Sequence, residues 1–370
     1  MKCNTCVLDD TVPGITFDSN GNCNYCSDYL IRKSNIFKSE KELHILLDKL
    51  QLKKKKYNCI VGISGGLDSS FLLYKCVKLG LTPLAVHVDT GWNTERAVQN
   101  IESLTRELNV DLETFVLDWE QFKQVQIAFL RSGVVDIEIP TDHYYLAALY
   151  KTASQHNIKY IFTGNNFSSE GIMPEGWTHN KGDTLNMIDI YKKFGNGSSI
   201  ANLPTLTLTK RFYYYNLKKI ENVFLLNYLE YNREKAMEEL IKETSWRIHP
   251  MKHGESIFTR FYHRYILPYR FKIDIRKAHL SAMICSNQIT REEALCILKN
   301  ERLQQDIIDN DLAYVLKKLN LSEFEFYAMM AQPVKSHFDF KSEIQIKKIY
   351  NYLISLPFGF NFFLRTSNRH

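Results

Sequence analysis

The chain has 370 residues, 45% of them hydrophobic and 24% charged, with 47 basic against 41 acidic side chains for a net charge of +6. That balance excludes disorder, collagen and coiled coil, and it supplies enough chain for roughly two domains. No apolar h-region follows Met1-Lys2-Cys3 and no apolar run reaches the ~18 residues of a membrane span, so a cytoplasmic protein is expected.

Eight cysteines in such a chain point to metal or redox chemistry rather than disulfides. Cys3, Cys6, Cys23 and Cys26 form C-x2-C-x16-C-x2-C, two knuckles that supply the four soft ligands of tetrahedral zinc. Pro13-Gly14 and Asn20-Gly21 are turn dipeptides that would fold the intervening segment back. An iron–sulfur cluster is the main competitor. With all four positions filled by protein, the metal has no open site, and a structural staple is the preferred role. Cys59, Cys76, Cys285 and Cys296 are isolated among apolar neighbours and read as core.

After a run of lysines, Lys53–Lys56, the apolar stretch Tyr57 to Ile63 reads as a buried strand. Ser64-Gly65-Gly66-Leu67-Asp68-Ser69-Ser70 follows, then a helix over Phe71 to Leu79. Strand, glycine loop and helix make an anion site: glycine lets the backbone approach, and the helix N-terminus presents free N–H groups. No lysine follows to grip a γ-phosphate, so γ-phosphoryl transfer is not suggested. Further strands are expected over Thr82 to Val88, Asp111 to Leu117 and Lys159 to Phe162, with helices over Asn93 to Leu108 and Tyr144 to His156. The alternation implies an α/β fold with a doubly wound parallel sheet, whose ligands lie beyond the carboxyl ends of its strands. The loops at 64–70, 88–92 and 163–170 fall at that edge.

S-G-G-x-D-S resembles the PP-loop of the ATP pyrophosphatases, a HUP-like superfamily that includes asparagine synthetase B domains, GMP and NAD synthetases, argininosuccinate synthetase and tRNA thiolases. The resemblance implies that Ser64, Gly65, Gly66, Ser69 and Ser70 cradle the pyrophosphate of ATP and that Asp68 holds Mg²⁺. It also implies that residues 86–89, Val88 among them, bracket adenine and ribose, and that Gly164 lies against the nucleotide. Glu170 is either a second magnesium carboxylate or a solvated loop residue.

Over nearly its full length the chain resembles the N-acetyl sugar amidotransferases of bacterial surface-glycan synthesis, which make acetamidino groups on O-antigen sugars and on pseudaminic- or legionaminic-type nonulosonic acids. The matching segments are Cys3-Asn4-Thr5-Cys6-Val7, Asp10-Thr11, Pro13-Gly14-Ile15, the glycine loop, Thr163-Gly164-Asn165-Asn166 with Glu170-Gly171, and Lys252-His253-Gly254-Glu255-Ser256 with Phe258-Thr259-Arg260-Phe261-Tyr262. Arg276 to Ser281 and Thr290 to Leu295 continue it. Pro250-Met251 stands where that family commonly has a Gly-Gly pair, which implies a stiffer loop before Lys252. The resemblance implies attack of an N-acetyl oxygen on ATP, then displacement of AMP by ammonia. Asp68 and Lys252 would be catalytic; Asn165, Asn166, Glu170, His253, Glu255 and Arg260 would contact the sugar. Ammonia would come from a separate glutaminase subunit, since no domain-sized length remains for one and Cys3 belongs to the zinc set.

A tRNA thiolase with a zinc knuckle is the alternative. Sulfur transfer needs a thiolate or a cluster in the PP-loop domain, and the stretch from Val77 to Ile284 has no cysteine. Net charge +6 is modest for an RNA footprint, so nucleic acid is not expected. Between Arg260 and Lys277 lie six basic residues, Arg260, Arg264, Arg270, Lys272, Arg276 and Lys277, against the single Asp274. They suit the carboxylate or phosphate of an anionic N-acetylated sugar, a nonulosonic acid or a nucleotide-linked one, and suit a solvated helix face equally well. The segment 178–197, with His179, Asp183 and Asn186, reads as either sugar pocket or polar loop.

The expected organisation is a zinc-knuckle segment at 1–35, a PP-loop domain at 36–213, and a mainly helical substrate or partner lobe at 214–370 that has no strands. Thr290-x-x-Glu293 reads as a capping box, and Leu312 to Leu319 and Ser322 to Met330 as further helices. The stretch Ile349 to Leu364, broken by Asn351, Pro357, Gly359 and Asn361, reads as a buried or docking segment.

Overall fold

A computed structural model describes residues 1–51, 55–249, 251–300, 305–344 and 346. Pro250 and the stretch from Ile349 to Leu364 lie outside the described residues.

Five strands, β1 (Cys59–Gly62), β2 (Pro83–Asp89), β3 (Leu112–Val116), β4 (Tyr160–Phe162) and β5 (Glu221–Val223), form one parallel sheet in the order β3-β2-β1-β4-β5. All four residues of β1 are buried, as a central parallel strand covered on both faces requires. The helix Leu67–Lys78 packs on β1 and β2 from one side and the helix Ile139–Gln155 from the other. The chain runs outward from β1 through β2 to β3, then returns to place β4 on the opposite flank of β1. The switch point therefore falls between β1 and β4, and it sets the loop after β1 beside the loop after β4.

Two expectations about the second half need correction. β5 lies beyond residue 213 and extends the sheet, so the sheet does not stop at that boundary and the later chain is not free of strands. Its sequence, Glu-Asn-Val, is short and two-thirds polar because the strand sits at the edge, where side-chain burial does not dictate composition. Otherwise this half is helical, including Arg276–Cys285, Arg291–Asn300, Gln305–Leu319 and Glu323–Met330. Thr290 and Glu293 exchange the expected capping bonds at 2.7–3.2 Å. A wide π-helical segment, Tyr262–Phe271, ends at Lys272 in the left-handed conformation (φ 58°). The N-terminal cysteines are part of the largest core cluster: Cys3, Cys6, Cys23, Cys26 and Tyr29 share it with Phe258, Phe261, Leu267 and Phe326. No helix among the described residues is long and apolar enough to cross a membrane.

Candidate functional site

The loop after β1 is held open from behind. Gly65 has φ 79°, and a Cβ there would meet the Ala97 carbonyl at 2.4 Å, so both conformation and space demand glycine. Its carbonyl accepts from Asn100 Nδ2, Trp246 Nε1 and His249 Nε2, each at 3.1 Å. Burial holds the His249 pKa below its usual range, which keeps this imidazole a neutral donor at neutral pH. With the Gly65 carbonyl tied back, the peptide is fixed for its N–H side to serve the loop. Ser64 and Ser69 hydroxyls lie 3.0 Å apart, and Ser69 Oγ accepts from the Ser64 N–H at 3.1 Å.

The helix Leu67–Lys78 starts at Gly66 with no side-chain cap, so its leading N–H groups are left for an anion. Ser70 Oγ is fully buried without a partner among the described residues. Gly164, after β4, comes close enough that a Cβ would lie 2.8 Å from the Ser69 nitrogen. An uncapped helix end, an orphan hydroxyl and two glycines at closest approach together fit a phosphate group.

Charge gathers around the mouth of this loop. Asp68 is hydrogen-bonded by the Tyr231 hydroxyl, with Arg233 Nη1 at 3.9 Å and Lys252 Nζ at 4.0 Å. Lys252 also reaches Glu170 at 3.2 Å and Ser169 Oγ at 3.0 Å. Glu255 stands on the other side, its Oε1 3.4 Å from Ser64 Oγ and 2.7 Å from where a Gly66 Cβ would be. Burial, reinforced by Asp68, raises the Glu255 pKa. The structure thus brings Ser64, Gly65, Gly66, Asp68, Ser69, Ser70, Gly164, Glu170, Lys252 and Glu255 together, and Asn165 joins through a 3.4 Å contact with Glu170. Tyr231 and Arg233 belong to the same cluster and were not found from sequence, because nothing local marks them; the helix Arg233–Glu243 delivers them by packing on Leu67–Lys78.

Other expected residues have structural work. Asn166 is buried and caps the short helix Phe167–Glu170, accepting from the Ser169 N–H at 2.9 Å. Val88 is buried in the core while its neighbour Asp89 accepts from the Gly91 N–H at 2.7 Å and from Asn93 at 3.2 Å. Arg260 does not face the site: its guanidinium grips the buried Asp311 with two bonds of 2.8 and 2.6 Å. Most of its basic neighbours are likewise engaged. Arg276 pairs with Asp274, Lys277 with Asp9, and Arg270 holds the Leu130 and Gln332 carbonyls. Asp183 caps the helix Thr184–Phe194 and binds His179 and Ser342, while Asn186 holds the His337 and Lys341 carbonyls; these polar residues fasten 337–343.

In a second polar nest Lys181 bridges Asp136 (2.7 Å) and Asp142 (3.1 Å). Beside it Glu138, hydrogen-bonded by Thr259 at 2.8 Å, is pushed up to about 8 by burial and then by Asp142.

The four N-terminal cysteines come together as their spacing predicts. Their sulfurs all lie within 4.8 Å of one another, with Cys23–Cys26 at 3.6 Å, Cys6–Cys23 at 3.7 Å and Cys3–Cys26 at 4.0 Å. A tetrahedral ion with ~2.3 Å zinc–sulfur bonds needs edges of about 3.8 Å, so the donor set fits zinc. Backbone N–H groups of Cys6, Leu8 and Cys23 point at these sulfurs at 3.2–3.5 Å. Hydrogen bonding with Cys26 and then with Cys6 holds Cys23 far below the usual thiol range.

One of the isolated cysteines is not core as expected: Cys296 is exposed. Cys285 is buried in the core, and there it donates to Cys26 Sγ at 3.7 Å. Arg291 binds the Cys6 and Cys3 carbonyls at 3.0 and 3.1 Å. The knuckle is therefore a joint that fastens the N-terminus to the helices Arg276–Cys285 and Arg291–Asn300.

Comparison with known proteins adds three observations. Residues 255–353 match the family described as LPS biosynthesis protein WbpG-like, C-terminal domain. Among curated proteins, the chain is 34% identical over 114 residues to an uncharacterized protein of Methanocaldococcus jannaschii, covering 30% of this chain and 41% of that protein. It is 27% identical over 179 residues to the tRNA(Ile)-lysidine synthase of Chlamydia muridarum, covering 48% and 52%. The chain thus spans about half the length of these relatives or less.

Solved structures similar to it include NMN synthetase from Francisella tularensis, with TM-score 0.29, 17% identity and coverage of 80% of this chain and 97% of that one. Another is the U34-tRNA thiolase NcsA from Methanococcus maripaludis with its 4Fe–4S cluster, with TM-score 0.29, 12% identity and coverage of 81% and 88%. The chain thus joins a segment that matches the WbpG-like C-terminal domain, residues 255–353, to a doubly wound parallel sheet whose first loop reads Ser64-Gly65-Gly66-Leu67-Asp68-Ser69-Ser70.

Proposed function

We propose that this protein is an ATP-dependent, AMP-forming amidotransferase that converts the N-acetyl group of a bacterial surface-glycan sugar into an acetamidino group. One observation carries the reading: a phosphate cradle ringed by Asp68, Lys252 and Arg233 is closed by Glu255 at the start of a WbpG-like LPS biosynthesis segment.

An unactivated amide resists ammonia because its oxygen leaves poorly. Attack of that oxygen on the α-phosphorus of ATP forms the new P–O bond and breaks the bond to pyrophosphate. Ammonia then adds to the activated carbon, AMP departs with the former acetyl oxygen, and a proton is lost to leave the amidine. The loop N–H groups and the Ser64, Ser69 and Ser70 hydroxyls hold the β- and γ-phosphates, while Lys252 and Arg233 offset the charge growing on the departing pyrophosphate. Asp68 would hold Mg²⁺, with Glu170 a second carboxylate beside it; bound there, the ion supplies charge neutralisation on the phosphates. Asn165 and Glu255 border the space left for the sugar.

Sulfur transfer fits this geometry less well. Cys3, Cys6, Cys23, Cys26 and Cys285 are committed to the knuckle, Cys59 and Cys76 are fully buried, and the exposed Cys296 sits on the helix Arg291–Asn300 and not in the cluster around Asp68. The same commitment leaves Cys3 unsuited to be a glutaminase nucleophile, which supports ammonia delivery by a separate subunit. Incubation with ATP, Mg²⁺, NH₄⁺ and N-acetylated sugars should release AMP and pyrophosphate, with no turnover on glutamine alone. Release of ADP and phosphate, or sulfur incorporation into tRNA, would refute the reading.

A further inference from the structure

Three imidazoles converge one residue away from Lys252. The ring of His253 lies 5.2 Å from that of His263 and 5.5 Å from that of His279. They come from three segments: the turn before Glu255, the π-helical stretch Tyr262–Phe271, and the helix Arg276–Cys285. His253 adopts φ 60°, in the left-handed region that few residues bearing Cβ occupy.

These three rings differ from the other described histidines. His87, His143, His179, His249 and His337 each bond a protein atom through a ring nitrogen, and His44 and His156 pair with glutamates. His253, His263 and His279 have no hydrogen-bond or ion-pair partner among the described residues, although each is half-buried. Six ring nitrogens therefore stand at one place without a partner among the described residues.

Their surroundings select the ligand. Burial first, and then Lys252 with Arg233, depress His253; His279 is affected by Lys252, Arg233 and Arg264; and His263 falls to about 3 under Lys181, Arg264 and Lys252, opposed by Asp136. Neutral imidazoles in a positive field offer one N–H donor each to an oxyanion and repel a cation. Among the described residues, the four knuckle cysteines, not these imidazoles, are the group of ligand atoms placed to hold a metal ion.

We propose that His253, His263 and His279 form the anion subsite of the substrate cleft, taking the carboxylate of a free acidic sugar or the phosphate of a nucleotide-linked one. This replaces the Arg260–Lys277 run as the element that recognises substrate charge. The sugar identity rests on the amidotransferase reading; the preference for an oxyanion rests on the rings and their field.

The test is a binding titration of the full chain, saturated with Mg²⁺ and a nonhydrolysable ATP analogue. Its probes are N-acetylneuraminate, UDP-N-acetylglucosamine and neutral N-acetylmannosamine. One anionic probe should bind at least about tenfold more tightly than the neutral sugar, as charge-assisted hydrogen bonds predict. Tighter N-acetylneuraminate identifies a carboxylate source, and tighter UDP-sugar a phosphate source. His263→Leu and His279→Leu should each erase that preference while leaving affinity for the ATP analogue and zinc content unchanged, and His263→Gln, which restores a donor, should recover part of it.

No preference for either anion, an unchanged preference in the leucine variants, or loss of ATP-analogue binding in both would overturn the proposal. Failure of the amidotransferase reading shows separately, as absence of AMP formation with the anion preference intact.

Discussion

The glycine loop and the cysteine knuckle both gather polar groups around a point with a few residues of tight turn, and they differ in what is left unsatisfied. In the knuckle, the sulfurs of Cys3 and Cys6 accept backbone N–H groups, Cys285 donates to Cys26, and Arg291 caps the Cys3 and Cys6 carbonyls. At the loop, the helix after Gly66 has no side-chain cap, Ser70 Oγ has no partner among the described residues, and Asp68 sits among Tyr231, Arg233 and Lys252. A closed polar site holds a fold together; an open one keeps its donors for a ligand.

The largest effect should come from the open site. Asp68→Asn is expected to lower turnover by about 10²–10³-fold or more, the scale of losing one preorganised charged group, with Tm little changed. Steady-state rates and a thermal melt on the same sample check both halves. Cys23→Ser should do the reverse: zinc content falls below stoichiometry and the melt drops by far more than the ~1 kcal/mol of an average substitution. Should Cys23→Ser instead abolish turnover with an unchanged melt and full zinc, the division between the two sites would fail.

Arg260 sharpens the contrast further. Removing one partner of a buried pair costs about 3–5 kcal/mol, so Arg260→Gln should lower stability to denaturant through the uncompensated Asp311 and leave KM for the sugar unaltered. A raised KM with normal stability would return Arg260 to the substrate.

The smallest expected effect is at Glu138. Its carboxyl, pushed up to about 8 in the folded chain, lies above the ordinary value of about 4.3. The folded state favours the protonated form, so this group's contribution is full below the unfolded value and is lost as pH rises through about 8. Glu138→Gln should therefore melt a few degrees higher than the parent at about pH 9 and no differently near pH 5, and parallel melts at both values would contradict the assignment.

What sequence could show follows from how local each signal is. β1 to β4 were legible as apolar runs, with ends off by one or two residues, and the cradle was legible because glycines and serines adjacent in the chain are adjacent in space. β5 carries no such run, since pairing with β4 defines it rather than side-chain burial. Tyr231 and Arg233 reach Asp68 across more than 160 positions, and Arg260 looked available because its partner lies 51 residues further along. The Cys285 thiol is core as its neighbours suggest, but its contact with the knuckle was hidden for the same reason: it spans 259 positions to Cys26. Spacing reveals a site built within one turn and conceals one assembled by packing.

The central claim is that the acetyl oxygen of the sugar is the nucleophile toward ATP. Turnover of a substrate carrying heavy oxygen in its acetyl group, followed by mass analysis of the released nucleotide, tests this most directly. The account predicts the label in the phosphate of AMP; label retained in the sugar, or ADP as the released nucleotide, would contradict it.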